Sequence, residues 1–164
     1  MDWPITEGFH CWVGLNSSVD RDWLDVNPFV GIHVVPIMKF YTTLEGRKYA
    51  RNVATYAAHL GTLKPDVAVF WFSKDRDNSA EFDRMASLYR DSGLDFAISV
   101  STFDLLLPLL KKRVTSLGGY PERYASCLHL MGRTKESISF VESFSNSEPD
   151  YFREFSRRYL DKYG

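Results

Sequence analysis

The sequence predicts an α+β fold, in which a mostly antiparallel sheet (an N-terminal meander with an inserted helix) packs against a C-terminal set of short helices. The first half contains short apolar runs rich in aromatic and β-branched residues, separated by turn residues, as strands require. In the second half, apolar residues recur every three to four positions between glycine and proline stops, as in amphipathic helices. The length of 164 residues and the 45% hydrophobic content predict one domain over residues 1–164.

Two strands open the predicted meander. The first covers Phe9–Leu15 and is expected to end at the polar residues 16–18. The second covers Trp23–Val35 and contains Asn27-Pro28. Because proline has no backbone N–H to donate, we expect the second strand to lie at an edge or to carry a bulge there.

A short helix and two further strands complete the first half. Pro36 suits the first turn of a helix, and Gly46 is expected to stop it. Val53–Leu60 and Val67–Phe72 read as strands joined by a short loop, which favours antiparallel neighbours.

The second half begins with a helix capped by Asn78 and ended by Gly93, in which Glu81 completes the cap. Asp95–Val100 reads as one more strand. A leucine-rich helix then starts at Ser101, and Pro108 must kink it or begin a new first turn.

Three short helices follow. The first runs from Pro121 to about Gly132, the second is capped by Thr134, and the third starts at Pro149. The third places the aromatic side chains of Phe152, Phe155 and Tyr159 along one stripe. Short loops between these helices predict antiparallel packing.

Charge gives no reason to expect a nucleic acid or a membrane as the direct partner, because the formal net charge is −1. The charge is unevenly distributed, since residues 1–46 sum to −4. The basic residues Lys111, Lys112 and Arg113, like the pair Arg157-Arg158, fall near predicted helix ends, where they complement the helix dipole. No signal peptide and no apolar run of membrane-spanning length is found, so we expect a cytoplasmic protein. The abrupt start is compatible with a longer native N-terminus.

The histidines and cysteines do not form a ligand pattern. His10, His33 and His59 lie on separate predicted strands, and no CxxC, HxxxH or HExxH spacing occurs. Cys11 and Cys127 each lie inside an apolar run and are expected to be buried free thiols. We therefore expect no metal and no cofactor.

No nucleophile motif appears either. Cys127 and His129 are two positions apart on a predicted helix, so they do not share a face. Ser17 and Ser18 are explained by a turn, and neither GxSxG nor a glycine-rich phosphate loop is present. The sequence gives no catalytic residues.

The acidic cluster of the hairpin is the candidate binding site, and it consists of Asp20, Asp22 and Asp25 around Trp23. These carboxylates could serve acid/base chemistry if they lined a cleft, or they could simply be solvated in a turn. Alternatively, they could attract a basic protein partner, with the tryptophan as an anchor. The residues alone leave these three readings open.

Four stretches, taken together, resemble a protein family: "WVGLN", "VNPFVGIH", "ATYAAHLG" and "LGGYPERYASCLHLMGR". They resemble small bacterial single-domain immunity proteins, which are often encoded beside secreted polymorphic toxins. The resemblance spans roughly residues 9–160, and its motifs are structural, with Gly14, Gly31 and Gly61 suited to turns or close backbone approaches.

The resemblance implies a non-enzymatic protein that binds and neutralises a cognate protein toxin in the cytoplasm. An acidic surface would complement a basic toxin such as a nuclease-type effector domain. Two alternatives stay open: a small hydrolase that uses the aspartates with His10, His33 or His59, and an adaptor whose C-terminal helices present a groove to a peptide.

Overall fold

A computed structural model describes residues 2–65, 69–115, 119–147 and 150–164. The protein is α+β, with an antiparallel sheet and C-terminal helices, which confirms the predicted fold class. The chain divides into two compact units. Unit 1 comprises residues 1–33 and 56–101, and unit 2 comprises residues 34–55 and 102–164. The single domain over residues 1–164 stays a prediction.

The regular elements follow the predicted order of strands first and helices second. The strands are β1 (Asp2–Thr6), β2 (Phe9–Asp20), β3 (Trp23–Val34), β4 (Tyr56–His59) and β5 (Phe70–Ser73). The helices are α1 (Val35–Leu44), α2 (Leu60–Leu63), α3 (Ser79–Leu88), α4 (Leu94–Ser99), α5 (Phe103–Arg113), α6 (Pro121–Leu130), α7 (Thr134–Ser147) and α8 (Asp150–Tyr163). A π-helical turn, Tyr89–Gly93, joins α3 to α4.

The sheet of unit 1 has the order β1-β2-β3-β4, and β5 also pairs with β3. The consecutive strands β1, β2 and β3 form a meander, of which β2 and β3 were predicted. Strand β1 was not predicted. It pairs antiparallel with β2, and the register places Trp3 opposite Cys11. The prediction of β4 and β5 as neighbours of each other differs from the structure, because both are antiparallel partners of β3.

We expected an edge strand or a bulge at Pro28, and because β3 is central, the first of these two alternatives is wrong. On one side of β3, residues 23–26 pair with β5 and residues 29–32 pair with β4. Asn27 and Pro28 lie between these two segments. The missing proline N–H is therefore tolerated because it falls where one partner strand gives way to the next.

Strand β2 continues through the polar residues 16–18, which were expected to break it. Residues 15–20 are exposed, so polar side chains are compatible with this half of the strand. The reversal occurs at Arg21-Asp22, where Arg21 has a φ of 53°. In this segment, pairing with β3 outweighs the turn preference of the Asn-Ser-Ser sequence.

The predicted strand Asp95–Val100 is wrong, because residues 94–99 form α4. Gly93 does not end the preceding helix either: its φ of −72° and ψ of −45° are helical. The chain passes from α3 through the π turn directly into α4. The β-branched residues Ile98 and Val100 favoured a strand locally, but the continuing helix overrides that weak preference.

The core of unit 1 lies between the sheet and the helices, and it is formed by Cys11, Val26, Val30, Leu60, Phe70, Phe72, Leu88 and Ala97. Gly31 permits the close pairing of β3 with β4, since a Cβ at this position would lie 2.0 Å from the carbonyl oxygen of Tyr56. This confirms the expected close backbone approach at Gly31. Of the predicted strand Val53–Leu60, only Tyr56–His59 is extended.

Unit 2 is helical. Pro36 lies in the first turn of α1, and Gly46 follows its end with a φ of 67°, as predicted. The cap of α5 is Thr102 rather than Ser101, because the Oγ1 of Thr102 accepts a hydrogen bond from the backbone N–H of Leu105. Pro108 lies inside α5. The predicted helix end at Gly118 and the predicted helix start at Pro149 lie outside the described residues. Residues 67–68 of the predicted strand Val67–Phe72 lie outside them as well.

Aromatic side chains fill much of the unit 2 core. Phe152, Phe155 and Tyr159 of α8 are buried along one stripe, as predicted. Phe144 of α7 meets Phe152 edge-on, with ring centroids 5.3 Å apart. Edge-on and offset contacts of this kind add specific geometry to the burial of apolar area.

No helix of the described residues is, on its own, long and apolar enough to cross a membrane. Two consecutive helical segments, Ser79–Ser99 and Phe103–Arg113, meet that criterion only together. Lys111, Lys112 and Arg113 occupy the last turn of α5, as predicted, where they complement the helix dipole.

Candidate protein-binding site

The tip of the β2–β3 hairpin holds the four residues that the sequence singled out. Asp20 ends β2, Asp22 lies in the turn, and Trp23 and Asp25 lie at the start of β3. Because side chains alternate along a strand, Trp23 and Asp25 share one face of the sheet. The structure therefore brings the four residues together at one end of unit 1.

Strand β5 adds a second tryptophan to this face. The register places Ser73 opposite Trp23 and Trp71 opposite Asp25. On the opposite face, Val26 of β3 and both Phe70 and Phe72 of β5 are buried, whereas Leu24 is 38% exposed. Trp23 is 40% exposed and Trp71 is 48% exposed. Two large indoles therefore lie partly in solvent on the same side of the sheet.

Arg76 connects the two tryptophans. Its guanidinium carbon lies 4.8 Å from the centre of the Trp23 ring, and its Nη2 donates a hydrogen bond of 3.0 Å to the carbonyl oxygen of Trp71. These three residues line a shallow cavity of about 390 Å³. We call the surface formed by Asp20, Asp22, Trp23, Asp25, Trp71 and Arg76 the tip surface.

The carboxylates of the tip surface have different surroundings. Asp22 pairs with the Nζ of Lys74 at 3.3 Å, and both side chains are well exposed. Oδ2 of Asp25 accepts a hydrogen bond from Ser18 at 3.4 Å. Oδ1 of Asp25 is buried and accepts no hydrogen bond from the described residues.

The segment after β5 adds charges of both signs to the tip. Residues 20–25 and 71–77 together carry five acidic and three basic side chains, a net charge of −2. The basic ones are Arg21, Lys74 and Arg76. Exposed ion pairs such as Asp22–Lys74 are weak, so an approaching partner could exchange them at little cost.

The outer edge of β5 is closed by side chains. The Trp71 N–H donates to Oε1 of Glu81 at 3.3 Å, and the Trp71 carbonyl accepts from Arg76. Asn78 bonds both the N–H and the carbonyl of Ser73, at 3.0 and 2.7 Å. Edge strands normally offer such groups to other chains, and here they are occupied. A partner at the tip surface would therefore bind through side chains rather than by adding a strand to β5.

His10 and His33 lie away from the aspartates, and His59 lies opposite Phe29 of β3. The rings of His10 and His33 approach to 6.2 Å, and the ring of His59 lies 5.3 Å from that of Phe29. His10 is ten residues before Asp20 on the same strand, which corresponds to about 30 Å of extended chain. In the described parts of the chain, no three His, Cys, Asp or Glu side chains are placed to hold a metal ion.

Both cysteines are buried free thiols. Burial raises the pKa of Cys11, and burial, followed by the charge of Asp104, raises the pKa of Cys127 to about 12. Since the thiolate is the nucleophile, neither group is activated at neutral pH. His129 is engaged elsewhere, because its Nδ1 lies 2.9 Å from the hydroxyl of Tyr159.

A groove in unit 2 bears on the adaptor hypothesis. It has a volume of about 340 Å³ and is lined by residues of α1, by Leu130 of α6 and by Lys162 and Tyr163 of α8. Its apolar walls carry two lysines, Lys39 and Lys162. The groove thus combines apolar area with positive charge, which differs from the acidic surface at the tip.

Two residues of the tip surface were not identified from the sequence: Trp71 and Arg76. They lie about fifty positions after the hairpin, and only the pairing of β5 with β3 places them beside it. One local signal was available. In "VFWFS" a tryptophan stands between two phenylalanines that must share the buried face, so alternation along the strand exposes the tryptophan.

Comparison with protein-family models, with curated proteins and with solved structures finds no match to this chain.

Proposed function

We propose that this protein is a non-enzymatic immunity protein, which binds a cognate bacterial toxin in the cytoplasm and neutralises it. The tip surface is the proposed contact. Trp23 and Trp71 would be buried against the toxin. The carboxylates of Asp20, Asp22 and Asp25 would attract a basic partner. Neutralisation would follow from covering the toxin's active site or substrate groove.

The observation that carries the proposal is the pair of half-exposed tryptophans beside carboxylates at one end of the sheet. Tryptophan is enriched among the residues that dominate binding energy at protein interfaces, because it buries a large area on association. Negative charge around it raises the encounter rate with a basic protein and fixes the orientation of the complex.

The class of partner rests on the sequence resemblance and on charge. The resemblance to immunity proteins suggests a toxin, and the net charge of −2 at the tip favours a basic one. The hydrolase alternative has less support, since His10 and His33 lie at the opposite ends of β2 and β3 from the aspartates, which leaves only His59, opposite Phe29, on the nearer part of β3. The adaptor alternative would use the groove of unit 2 instead.

The experiment is co-expression with the toxin encoded beside this protein's gene, combined with calorimetric titration of the purified pair. We expect the unaltered protein to restore growth. We expect Trp23→Ala to weaken binding by about 2 kcal/mol or more, roughly thirtyfold in Kd, because an anchor indole is lost. Asp22→Asn combined with Asp25→Asn should slow association, most strongly at low salt.

The matched control is Trp3→Ala. Trp3 is 50% exposed and belongs to the same unit, but it lies on β1, away from the tip surface. It should leave the affinity unchanged. Absence of both rescue and complex formation would refute the immunity function, whereas equal losses for Trp3 and Trp23 would refute the tip surface as the contact.

A further inference from the structure

Unit 1 contains a second, larger cavity toward the other end of β2. It has a volume of about 640 Å³ and is lined by Trp3 and Pro4 of β1, Cys11 and Val13 of β2, and the helical residues Ala86, Tyr89, Arg90 and Leu94. We call it the β1–π cavity. Its volume lies in the range of small-molecule sites, and its walls are mostly apolar, as such sites usually are.

The π-helical turn shapes this cavity. The N–H of Leu94 bonds to the carbonyl of Tyr89, five residues earlier, so the helix is locally widened. Tyr89, Arg90 and Leu94, all in or next to this turn, line the cavity. Single π turns are rare and are frequently found at functional sites, because they re-aim side chains that a regular helix would direct elsewhere.

Tyr89 holds the turn against the sheet. Its hydroxyl donates a hydrogen bond of 2.8 Å to the carbonyl of Gly14. Burial raises the pKa of Tyr89 to about 12, so the phenol stays neutral at physiological pH. The cavity wall is therefore preorganised and uncharged at this position.

Arg90 is the charged residue in the lining of the β1–π cavity. It is the one charged side chain among the described residues that line the cavity, and no carboxylate lines it. Its guanidinium bonds the hydroxyl of Ser87 at 3.1 Å and pairs with Asp91 at 3.0 Å. Both side chains of that ion pair are more than half exposed, so the pair is weak and exchangeable.

We propose that the β1–π cavity binds a small apolar carboxylate, whose aromatic or aliphatic body fills the cavity and whose carboxylate pairs with Arg90. Burial of the body provides the affinity, and the planar guanidinium selects a carboxylate head group. The site does not depend on the proposed toxin partner, because it lies toward the opposite end of β2 from the tip surface.

The test is calorimetric titration with three probes of the same size: naphthalene-2-carboxylate, 2-naphthylmethanol and 2-naphthylmethylamine. We expect the carboxylate to bind most tightly and the amine least. Binding should also slow the alkylation of Cys11 by iodoacetamide, followed by peptide mass spectrometry, since the thiol lines the cavity. Cys127, buried in unit 2, serves as the internal reference.

Variants then test the two parts of the site separately, namely the Arg90 guanidinium and the apolar cavity. Arg90→Gln should weaken carboxylate binding about tenfold or more, the loss expected for a charge-assisted hydrogen bond, and leave the alcohol unaffected. Ala86→Trp should abolish binding of all three probes by filling the cavity, and because Ala86 is exposed the fold should persist. The matched control is Arg133→Gln, which removes another exposed arginine paired with a nearby acid.

Carboxylate binding that survives Ala86→Trp would overturn the proposal, as would equal affinity for the carboxylate and the amine. Absence of probe binding at millimolar concentration, with no protection of Cys11, would also overturn it. Protection of Cys11 only in a complex with a protein would assign the cavity to a partner's apolar side chain and so refute the small-molecule site. Retention of carboxylate binding by Trp23→Ala is expected, because the tip surface is separate.

Discussion

At the scale of single residues, Arg123 is a buried cation that organises unit 2. It is 7% exposed, and its Nη1 donates hydrogen bonds to the carbonyls of Ala54 and Thr55 at 2.8 and 3.0 Å. Its guanidinium carbon lies 3.7 Å from the centre of the Tyr120 ring, a cation–π contact. These bonds compensate the loss of hydration that a buried charge suffers.

Glu122, the neighbour of Arg123, provides a prediction about pH. Burial raises the pKa of Glu122, and the charge of Arg123 opposes that effect only in part. A carboxyl whose folded pKa is raised favours the folded state while it is protonated. Its contribution to stability is therefore lost as pH rises from the ordinary value of 4.5 through the raised folded pKa. We expect Glu122→Gln to be more stable than the unaltered protein at pH 7, and this advantage should disappear near pH 4.5.

Urea denaturation of both proteins between pH 4.5 and pH 8 checks this expectation. The control is Glu136→Gln. Hydrogen bonds from Arg133 lower the pKa of Glu136, so its contribution is present at neutral pH and is lost as pH falls through the lowered folded pKa. The Glu136 variant should gain no stability at pH 7. If Glu122→Gln proved less stable at every pH, the ionised Glu122–Arg123 pair would be stabilising and the expectation would be wrong.

At the scale of secondary-structure elements, Asn78 covers two of the four backbone groups described on the closed edge of β5. The sequence predicts Asn78 as a helix cap, and it does occupy the N-cap position of α3, but its side chain makes no capping hydrogen bond. It instead bonds both backbone groups of Ser73, in the way that a neighbouring strand would. The side chain of Asp77 bonds the N–H of Ser79 at the start of the helix.

We expect Asn78→Ala to destabilise the protein by about 1–2 kcal/mol, because two hydrogen bonds are lost and their partners on β5 are uncovered. Hydrogen exchange at the Ser73 amide should accelerate, and sedimentation should show more self-association because the strand edge is opened. Asp77→Ala is the control, since it removes a bond at the helix start but leaves the edge of β5 covered. Unchanged exchange at Ser73 in the Asn78 variant would contradict this role.

At the scale of the whole molecule, the interleaving of the two units predicts cooperative unfolding. Residues 34–55 of unit 2 lie in sequence between the two segments of unit 1, so loss of unit 1 would free both ends of that insertion. All four tryptophans belong to unit 1, whereas unit 2 is helical. We expect urea transitions followed by tryptophan fluorescence and by far-ultraviolet circular dichroism to coincide, as for one domain. An earlier fluorescence transition would instead show that the units unfold separately.

The sequence by itself determined the fold class, the helices of unit 2 and the position of the β2–β3 hairpin. These features rest on local chemistry, such as the stop at Gly46, the first-turn Pro36 and the aromatic stripe of α8, and local chemistry can be read from neighbouring residues. The errors arose where a wider context outweighed a local preference. The residues that read as a strand at 95–100 continue a helix, and the turn-forming residues 16–18 stay paired in β2.

Only the tertiary structure decided what surrounds the candidate site. The sequence placed Asp20, Asp22, Trp23 and Asp25 together because they are neighbours along the chain. The pairing of β5 with β3 added Trp71 and Arg76, and the π turn assembled a cavity from residues of β1, β2 and the helices. Strand pairing and helix packing join segments fifty or more residues apart, and that information is not contained in local residue preferences.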